Sequence, residues 1–271
     1  MGKAIATGLA RSSATVIILC RDNEKAEQAS NEIMHKTKNR NIDYMLADLS
    51  IQNSIRQFAE TFQHKYSALH VLSNNAGILS MKRKLTADEI ESTFAVDYLS
   101  HFLLTNLLLD LLKSSQPSRI ITVAGGPSIL KKTKINFDDI QFENKYNGIK
   151  TAVQAALARV IFTYELAKRL TGTGVTANVF HPGLVQSNLT RNVPLFGKFF
   201  SKLSRPFLSS ECKTGLYLAV SSEVENITGR YFVRKKQITI LPDDDFHSNA
   251  ERLWEISESL TSKKSHYHNE K

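Results

Sequence analysis

Apolar runs rich in β-branched residues alternate with polar segments of helical spacing along most of this 271-residue chain. The apolar runs, which are typical of strands buried in a parallel sheet, occupy residues 14–20, 41–47, 68–73, 119–123, 175–180 and 230–233. Helical spacing is found at residues 2–12, 22–34, 51–65, 86–112, 149–170, 211–221 and 250–260. This alternation predicts an α/β fold of the Rossmann type, a doubly wound parallel sheet with helices on both faces. No internal repeat or linker is found, so we predict a single domain over residues 1–261.

The front of the chain lacks an element that this fold requires. The alternation begins with a helix, whereas the first strand of a doubly wound sheet lies near its centre and leads into a glycine-rich phosphate loop. Only Gly2 and Lys3 could represent the last part of such a loop. We therefore expect a gap in the sheet, with unpaired backbone groups beside it. Two explanations stay open: the missing residues precede the given start, or the chain is a defective copy.

Composition narrows the classes of function. The net charge of +9 indicates a solvated basic surface, or attraction to an anionic ligand or membrane. Nucleic acid is not an expected partner, because no basic stripe with interleaved aromatic residues occurs. No apolar stretch reaches the roughly 18 residues of a membrane span. Two cysteines, Cys20 and Cys212, are too few for a disulfide framework and favour a reducing, cytoplasmic location. We predict a disordered basic tail over residues 262–271.

Two charged residues follow the first pair of predicted strands. Strand ends on this edge form the ligand crevice of a doubly wound fold. Arg21 comes directly after strand 14–20, where an arginine suits the 2′-phosphate of NADP better than the 2′-hydroxyl of NAD. Asp48 and Leu49 come after strand 41–47, where a carboxylate can accept from an adenine amino group. Alternatives stay open, since Arg21 could be an ordinary surface residue and Asp48 a helix cap.

A cluster of small and amide-bearing residues follows the strand at 68–73. Asn75, Ala76 and Gly77 stand there in sequence. Small residues let backbone approach a ligand closely, and asparagine side chains fix a turn. A bare turn would explain any one of these residues, but the group at a strand end favours a ligand-binding loop. We predict no metal site in this chain.

Several segments together resemble a known family. They include GKAIATGLA, LHVLSNNAGI, FAVDYLSHFLLTNLLLDLL, FTYELAKRL and GTGVTANVFHPG, within a resemblance running from residue 2 to about 258. The chain resembles the short-chain dehydrogenase/reductase family, in particular its retinol-dehydrogenase-like branch. The resemblance implies an oxidoreductase that uses NADP, with NAD less favoured, on a hydroxyl or carbonyl of a small apolar substrate. It also implies that Gly2, Pro182, Gly183 and Ser187 contact the cofactor.

The family's four catalytic positions are all changed. By the flanking segments, the family's asparagine falls at Asp97 and its serine at Gly125. Its tyrosine acid/base and its lysine fall at Ala152 and Ala156. Neither alanine can carry a proton, and a glycine has no side chain that could donate one. The resemblance therefore implies the fold of an oxidoreductase without its usual proton-transfer groups.

Two Tyr-x-x-x-Lys strings remain as substitutes for the lost pair. Tyr164 and Lys168 lie 12 residues after the matched position, about 18 Å along a helix, and are rejected. Tyr146 lies six residues before that position, and Tyr146 with Lys150 could form a shifted acid/base pair. The alternative is an ordinary loop tyrosine and lysine.

Two functions follow from these patterns. The first is an NADP-preferring oxidoreductase that relies on Tyr146 and Lys150. The second is a non-catalytic domain that binds a dinucleotide or a protein partner. Apolar residues in segment 184–208 fall at the family's substrate lid and suggest an apolar substrate, a membrane or subunit contact, or a core role. A homo-oligomer is a default expectation from the family.

Overall fold

The computed structural model describes residues 1–183, 211–240 and 246–262. The helices are α1 Gly2–Arg11, α2 Asn23–Thr37, α3 Gln52–Lys65, α4 Ser92–Phe94, α5 Ser100–Leu107, α6 Leu109–Ser114, α7 Pro127–Leu130, α8 Gly148–Arg169, α9 Lys213–Val220 and α10 Phe246–Ser262. The strands are β1 Val16–Cys20, β2 Ile42–Leu46, β3 Val71–Asn74, β4 Ser118–Val123, β5 Val175–His181, β6 Tyr231–Val233 and β7 Lys236–Ile238. A π-helical turn, Ala95–Leu99, joins α4 to α5.

The strands form two sheets instead of one continuous sheet. In the first sheet, β1 pairs with β2 in parallel. In the second, the order is β3-β4-β5-β6-β7, parallel up to β6, with β7 antiparallel at the edge. The predicted α/β fold with a mostly parallel sheet is confirmed. The sequence pattern did not predict β7, because this three-residue edge strand exposes Lys236 and Gln237 and has no apolar run.

The break between the sheets falls where the sequence predicted a missing strand. Among the described residues, no ladder joins β1 to β3. Helices nevertheless cover both sheets. Leu9 of α1 packs against the apolar cluster of Val16 in β1 and against that of Ile121 in β4. On the other face, Leu19 of β1 and Leu72 of β3 pack against one cluster around Phe58. The two sheets therefore lie in one layer with a break between their facing edges.

This break corrects the expectation that β1 is buried on both faces. Only Val16 of β1 is buried, and residues Ile17 to Cys20 are half-buried. In β4, which has neighbours on both sides, Ile120 and the three residues after it are buried. The physical reason is the open edge, because a strand without a neighbour on one side leaves its side chains accessible to solvent from that side.

The helix predicted at 86–112 begins later than its capping pattern suggested. The hydroxyl of Thr86 accepts from the backbone of residues 88 and 90, and Glu89 has a φ of 58°, so this segment is a turn. The helix starts at α4, where the Glu91 carboxylate accepts from the amides of Thr93 and Phe94. The segment that follows is interrupted by the π-helical turn, a feature often found at functional sites.

Helix α8 crosses the middle of the molecule, as the helix predicted at 149–170. Asn147 caps it by accepting from the amide of Lys150, so the helix begins one residue earlier than predicted. Most of α8 is buried, against β5 on one side and α10 on the other. The last helix, α10, is held to α8 by the guanidinium of Arg169, 4.0 Å from the ring centroid of Trp254. The predicted basic tail lies outside the described residues from 263 onward.

Candidate functional site

Arg21 and Asp48 lie side by side at the ends of the two strands in the first sheet. Cys20 and Leu46 are partners in the β1–β2 ladder, so the residues that follow them share one edge. One guanidinium nitrogen of Arg21 lies 3.7 Å from Asp48 Oδ2, and the arginine side chain is 74% exposed. The other carboxylate oxygen accepts from the amide and hydroxyl of Ser50. An exposed arginine at this edge is free to turn toward a phosphate, while Asp48 is held by its own turn.

Residue Leu49 is half-buried beside this pair, and its side chain packs against the cluster of α3 and α5. The side chain of Leu49 therefore serves the core, and its predicted contact to a cofactor stays a prediction.

Asn75, Ala76 and Gly77 form a loop at the end of β3. The side-chain amide of Asn75 donates to the carbonyl and hydroxyl of Ser73, and its Oδ1 is buried with no hydrogen-bond partner among the described residues. A Cβ added at Gly2 would lie 3.6 Å from the Cβ of Asn75. The N-terminus of α1 therefore lies beside this loop. Free backbone amides at such a terminus favour an anionic group.

An unpaired buried acceptor, a close glycine and a helix N-terminus fit a dinucleotide at this edge, where the family binds its cofactor. The residues available to hold it are Gly2, Arg21, Asp48, Leu49, Asn75, Ala76 and Gly77. When bound, a nicotinamide dinucleotide supplies hydride transfer.

Asp97 lies directly behind this loop, in the π-helical turn. Its Oδ1 accepts from the amide of Ile78 at 2.7 Å, and its Oδ2 lies 3.4 Å from where a Cβ would stand at Gly77. Burial raises the pKa of the Asp97 carboxyl from 3.8 to about 7, although Arg159 at 3.9 Å and the Ile78 amide oppose the shift. Burial also lowers the pKa of His101 to about 3, with Arg159 adding to the effect, so this imidazole is neutral.

The matched catalytic positions come together without catalytic groups. A Cβ added at Gly125 would lie 3.5 Å from the Cβ of Ala156. Ala152 lies four residues earlier on α8 and therefore on the same face. The buried hydroxyl of Tyr231 donates to the carbonyl of Gly125. Burial raises the pKa of that hydroxyl, which opposes a role in proton transfer. The structure brings Gly125 and Ala156 into contact, and the residues at the family's serine, tyrosine and lysine positions have no side chain that could donate or accept a proton.

Tyr146 and Lys150 occupy a different place from the lost pair. The Tyr146 hydroxyl lies 2.9 Å from the Ser80 carbonyl oxygen and 3.1 Å from Glu91 Oε1. Burial raises the pKa of Tyr146, whereas a tyrosine that serves as a base at neutral pH needs a lowered pKa. Lys150 is exposed and has no ion pair within the described part of the chain. Tyr164, rejected from the sequence, packs its ring against Phe246 at 5.6 Å, and burial raises its pKa to about 12.

Pro182 and Gly183 follow the end of β5, on the same edge as the loop after β3. Gly183 has a φ of 75°, which favours glycine, so it turns the chain at the strand end. His181 is half-buried, and a Cβ at Gly126 would lie 3.9 Å from its Cε1. Ser187 and the apolar residues of segment 184–208 lie outside the described residues.

Sequence reasoning missed three residues of this region. Arg159 pairs with Asp97, Glu91 holds both the start of α4 and the hydroxyl of Tyr146, and Tyr231 bonds Gly125. A signal existed for the first of these. Arg159 is a lone charge in the apolar stretch 155–162, and Asp97 is a lone charge in the apolar stretch 94–99. Isolated opposite charges in two buried helices predict a pair, because buried charges need partners.

Three further properties of the described residues were compared with the sequence predictions. No group of histidine, cysteine, aspartate or glutamate in residues 1–183, 211–240 and 246–262 is arranged to hold a metal ion. Within the same ranges, no helix combines the length and hydropathy that crossing a bilayer would require. Cys20 and Cys212 are both free thiols.

Comparison with known proteins identifies the family to which the chain belongs. The short chain dehydrogenase family model matches residues 1–195. Retinol dehydrogenase 14 of Homo sapiens is 40% identical over 96% of this chain and 82% of its own length. An uncharacterized protein from Mycobacterium Paratuberculosis has a crystal structure that matches 97% of this chain and 90% of its own, with 29% identity and a TM-score of 0.72.

A second solved structure, the Pseudomonas aeruginosa RhlG/NADP active-site complex, covers 85% of this chain and 89% of its own. Its identity of 22% and TM-score of 0.64 indicate a shared fold. The family match covers well over half of the chain, and the relatives align along nearly all of it. The chain therefore belongs to the short-chain dehydrogenase family, in its retinol-dehydrogenase-like branch.

Proposed function

We propose that this chain binds NADP(H) and lacks the proton-transfer step of its family. The observation that carries the proposal is that Gly125 meets Ala156, with Ala152 on the same face of α8, so the family's serine, tyrosine and lysine positions carry no titratable side chain. Losing a positioned general acid/base alone lowers a rate by about 10²–10⁴-fold. The chain would then be a non-catalytic dinucleotide-binding domain, and its function would be to bind the cofactor or a protein partner.

The preference for NADP over NAD rests on Arg21. Its exposed guanidinium stands at the end of β1, beside the Asp48 carboxylate. A guanidinium forms paired hydrogen bonds to a phosphate, and the 2′-phosphate distinguishes NADP from NAD. The net charge of +9 adds a general attraction for this anionic ligand.

An active oxidoreductase remains a second candidate because of one contact. The Glu91 carboxylate lies 3.1 Å from the Tyr146 hydroxyl, so a proton acceptor stands beside that tyrosine. The substrate would be an apolar alcohol or carbonyl compound. The raised pKa of Tyr146 and the distance along the chain to Ala152 weigh against this candidate. The cytoplasmic location and the homo-oligomer stay predictions.

The test is a titration of NADPH and NADH into the purified chain, followed by nicotinamide fluorescence. We expect NADPH to bind more tightly than NADH, and Arg21→Ala to abolish the difference. Arg11→Ala serves as the matched control, since Arg11 is an exposed arginine paired with Glu211 away from the strand ends. Absence of binding by either nucleotide to the folded chain would refute the proposal. Turnover that disappears in Tyr146→Phe would instead establish the second candidate.

A further inference from the structure

Asp97 and Arg159 form a buried ion pair directly behind the loop of residues 75–77. Their side chains are 4% and 9% exposed, and a guanidinium nitrogen lies 3.9 Å from Asp97 Oδ2. Asp97 belongs to the π-helical turn and Arg159 to α8, so the pair joins two elements that are distant in sequence. A buried pair of this kind is not by itself a source of stability, because both charges lose their hydration. The location of this pair behind the loop therefore suggests a role other than stabilising the fold.

The pair holds the backbone of the loop. Asp97 Oδ1 accepts from the amide of Ile78, the residue that follows Gly77, at 2.7 Å. Its other oxygen lies against Gly77, 3.4 Å from where a Cβ would be. The carboxylate thus fixes the far end of the loop, while the side chain of Asn75 fixes the near end through Ser73.

Among the described residues, four titratable side chains near Asp97 or Arg159 bear on the ionisation of the Asp97 carboxyl. Glu91 disfavours its ionised form, and Arg159 favours it. His101 is neutral, since burial holds its pKa near 3. Tyr231 faces Arg159 from β6 and is also neutral. Arg159 is therefore the cation that stabilises the ionised carboxylate, and an ionised acceptor forms a hydrogen bond about twice as strong as a neutral one.

We propose that Asp97 and Arg159 are positioning residues for the cofactor loop, which set the affinity of this chain for the dinucleotide. Arg159 favours the ionised form of Asp97, and Asp97 holds the Ile78 amide, so residues 75–77 keep the backbone conformation that contacts the ligand. The proposal rests on the proposed function, because it concerns the same loop. It adds that affinity depends on a charge pair that does not itself touch the ligand.

The test compares the wild type with Asp97→Asn, Arg159→Met and the double variant. For each we would measure the dissociation constant of NADPH between pH 6.0 and 8.5 and the hydrogen exchange of the Ile78 amide. Each single variant should bind NADPH about tenfold more weakly at pH 8, the scale of one weakened hydrogen bond to a charged group. The double variant should bind no worse than either single variant, because no unpaired charge remains. The affinity of the wild type for NADPH should fall as the pH is lowered toward 6. The affinity of Asp97→Asn should not show this pH-dependent fall.

Glu165→Gln is the matched control on the same helix. Glu165 is a carboxylate with 3% exposure that pairs with Arg169 at 2.7 Å, in the last turns of α8 and six residues after Arg159. It should lower the melting temperature without changing NADPH affinity or Ile78 exchange. Unchanged Ile78 exchange and an unchanged pH profile in Asp97→Asn would overturn the positioning role. If the wild type binds no nucleotide, the proposed function fails, and Ile78 exchange alone still decides whether the pair positions the loop.

Discussion

Replacing Arg159 by methionine should destabilise this fold, and by an amount that depends on pH. Arg159 and Asp97 are both buried, at 9% and 4% side-chain exposure, so loss of the cation leaves a carboxylate without its partner. Removing one member of a buried ion pair costs about 3–5 kcal/mol. At roughly 2–4 °C for each kcal/mol in a chain of this size, the melting temperature should fall by about 10 °C.

The pH dependence follows from the raised pKa of Asp97. Its pKa is 3.8 when unfolded and about 7 when folded, so the folded chain binds the proton more tightly. Wild-type stability should therefore decline as pH rises from about 4 to about 7, by at most about 1.4 kcal/mol per pH unit. Methionine at 159 raises this pKa further, because a favourable cation is lost. The wild type and Arg159→Met should thus differ little near pH 5 and most above pH 8.

The assay is urea unfolding followed by circular dichroism at pH 5.0, 7.0 and 8.5. The double variant Asp97→Asn with Arg159→Met should recover much of the lost stability at pH 8.5, since no buried charge is left unpaired. Glu165→Gln reports the effect of an unrelated buried carboxylate on the same helix. Two results would contradict this expectation. One is a loss of unfolding free energy in Arg159→Met that is equal at pH 5.0 and pH 8.5. The other is a double variant whose loss of unfolding free energy equals the sum of the losses in the two single variants.

Two further predictions concern packing and the break in the sheet. Gly148→Ala should destabilise the fold by about 1–3 kcal/mol in urea unfolding, because its Cβ would lie 2.1 Å from the Ser80 carbonyl oxygen. Gly126→Ala, where the nearest atom is 3.9 Å away, is the control, and equal stability of the two variants would be the contrary result. Amides of β1 and β3 should exchange about tenfold or more faster than those of β4 and β5, since each faces the break with one edge. Uniform protection across the four strands would show that the edges are closed.

The order of helices and strands could be predicted from the sequence because the spacing of apolar residues reflects which side chains each element buries. Six of the seven described strands, β1 to β6, appear where apolar runs placed them, and the long helices α1, α2, α3, α8, α9 and α10 appear where helical spacing placed them. The break in the sheet also followed, from a chain that starts with a helix in a fold that needs a central strand. The β7 strand was missed because its three residues carry no apolar pattern, and the start of α4 was missed because Thr86 caps a turn instead of a helix.

The candidate site was harder to predict because it depends on contacts between distant residues. Resemblance located Gly125, Ala152 and Ala156, and the structure shows that Gly125 and Ala156 meet. Isolated opposite charges in two apolar stretches could have indicated that Arg159 pairs with Asp97. No pattern indicated that Glu91 holds the Tyr146 hydroxyl, since the two residues are separated by 55 positions in the chain. Such polar contacts in the interior are fixed by the packing of whole helices, which only the folded structure supplies.

The most direct test of the account is to compare turnover in the wild type and in Gly125→Ser/Ala152→Tyr/Ala156→Lys. NADPH oxidation is followed with apolar aldehydes, at matched nucleotide occupancy. We expect no turnover by the wild type and measurable turnover by the triple variant, because Gly125 meets Ala156, Ala152 lies on the same face of α8, and all three lack the family's side chains. Wild-type turnover that the triple substitution leaves unchanged, and that Tyr146→Phe removes, would contradict it.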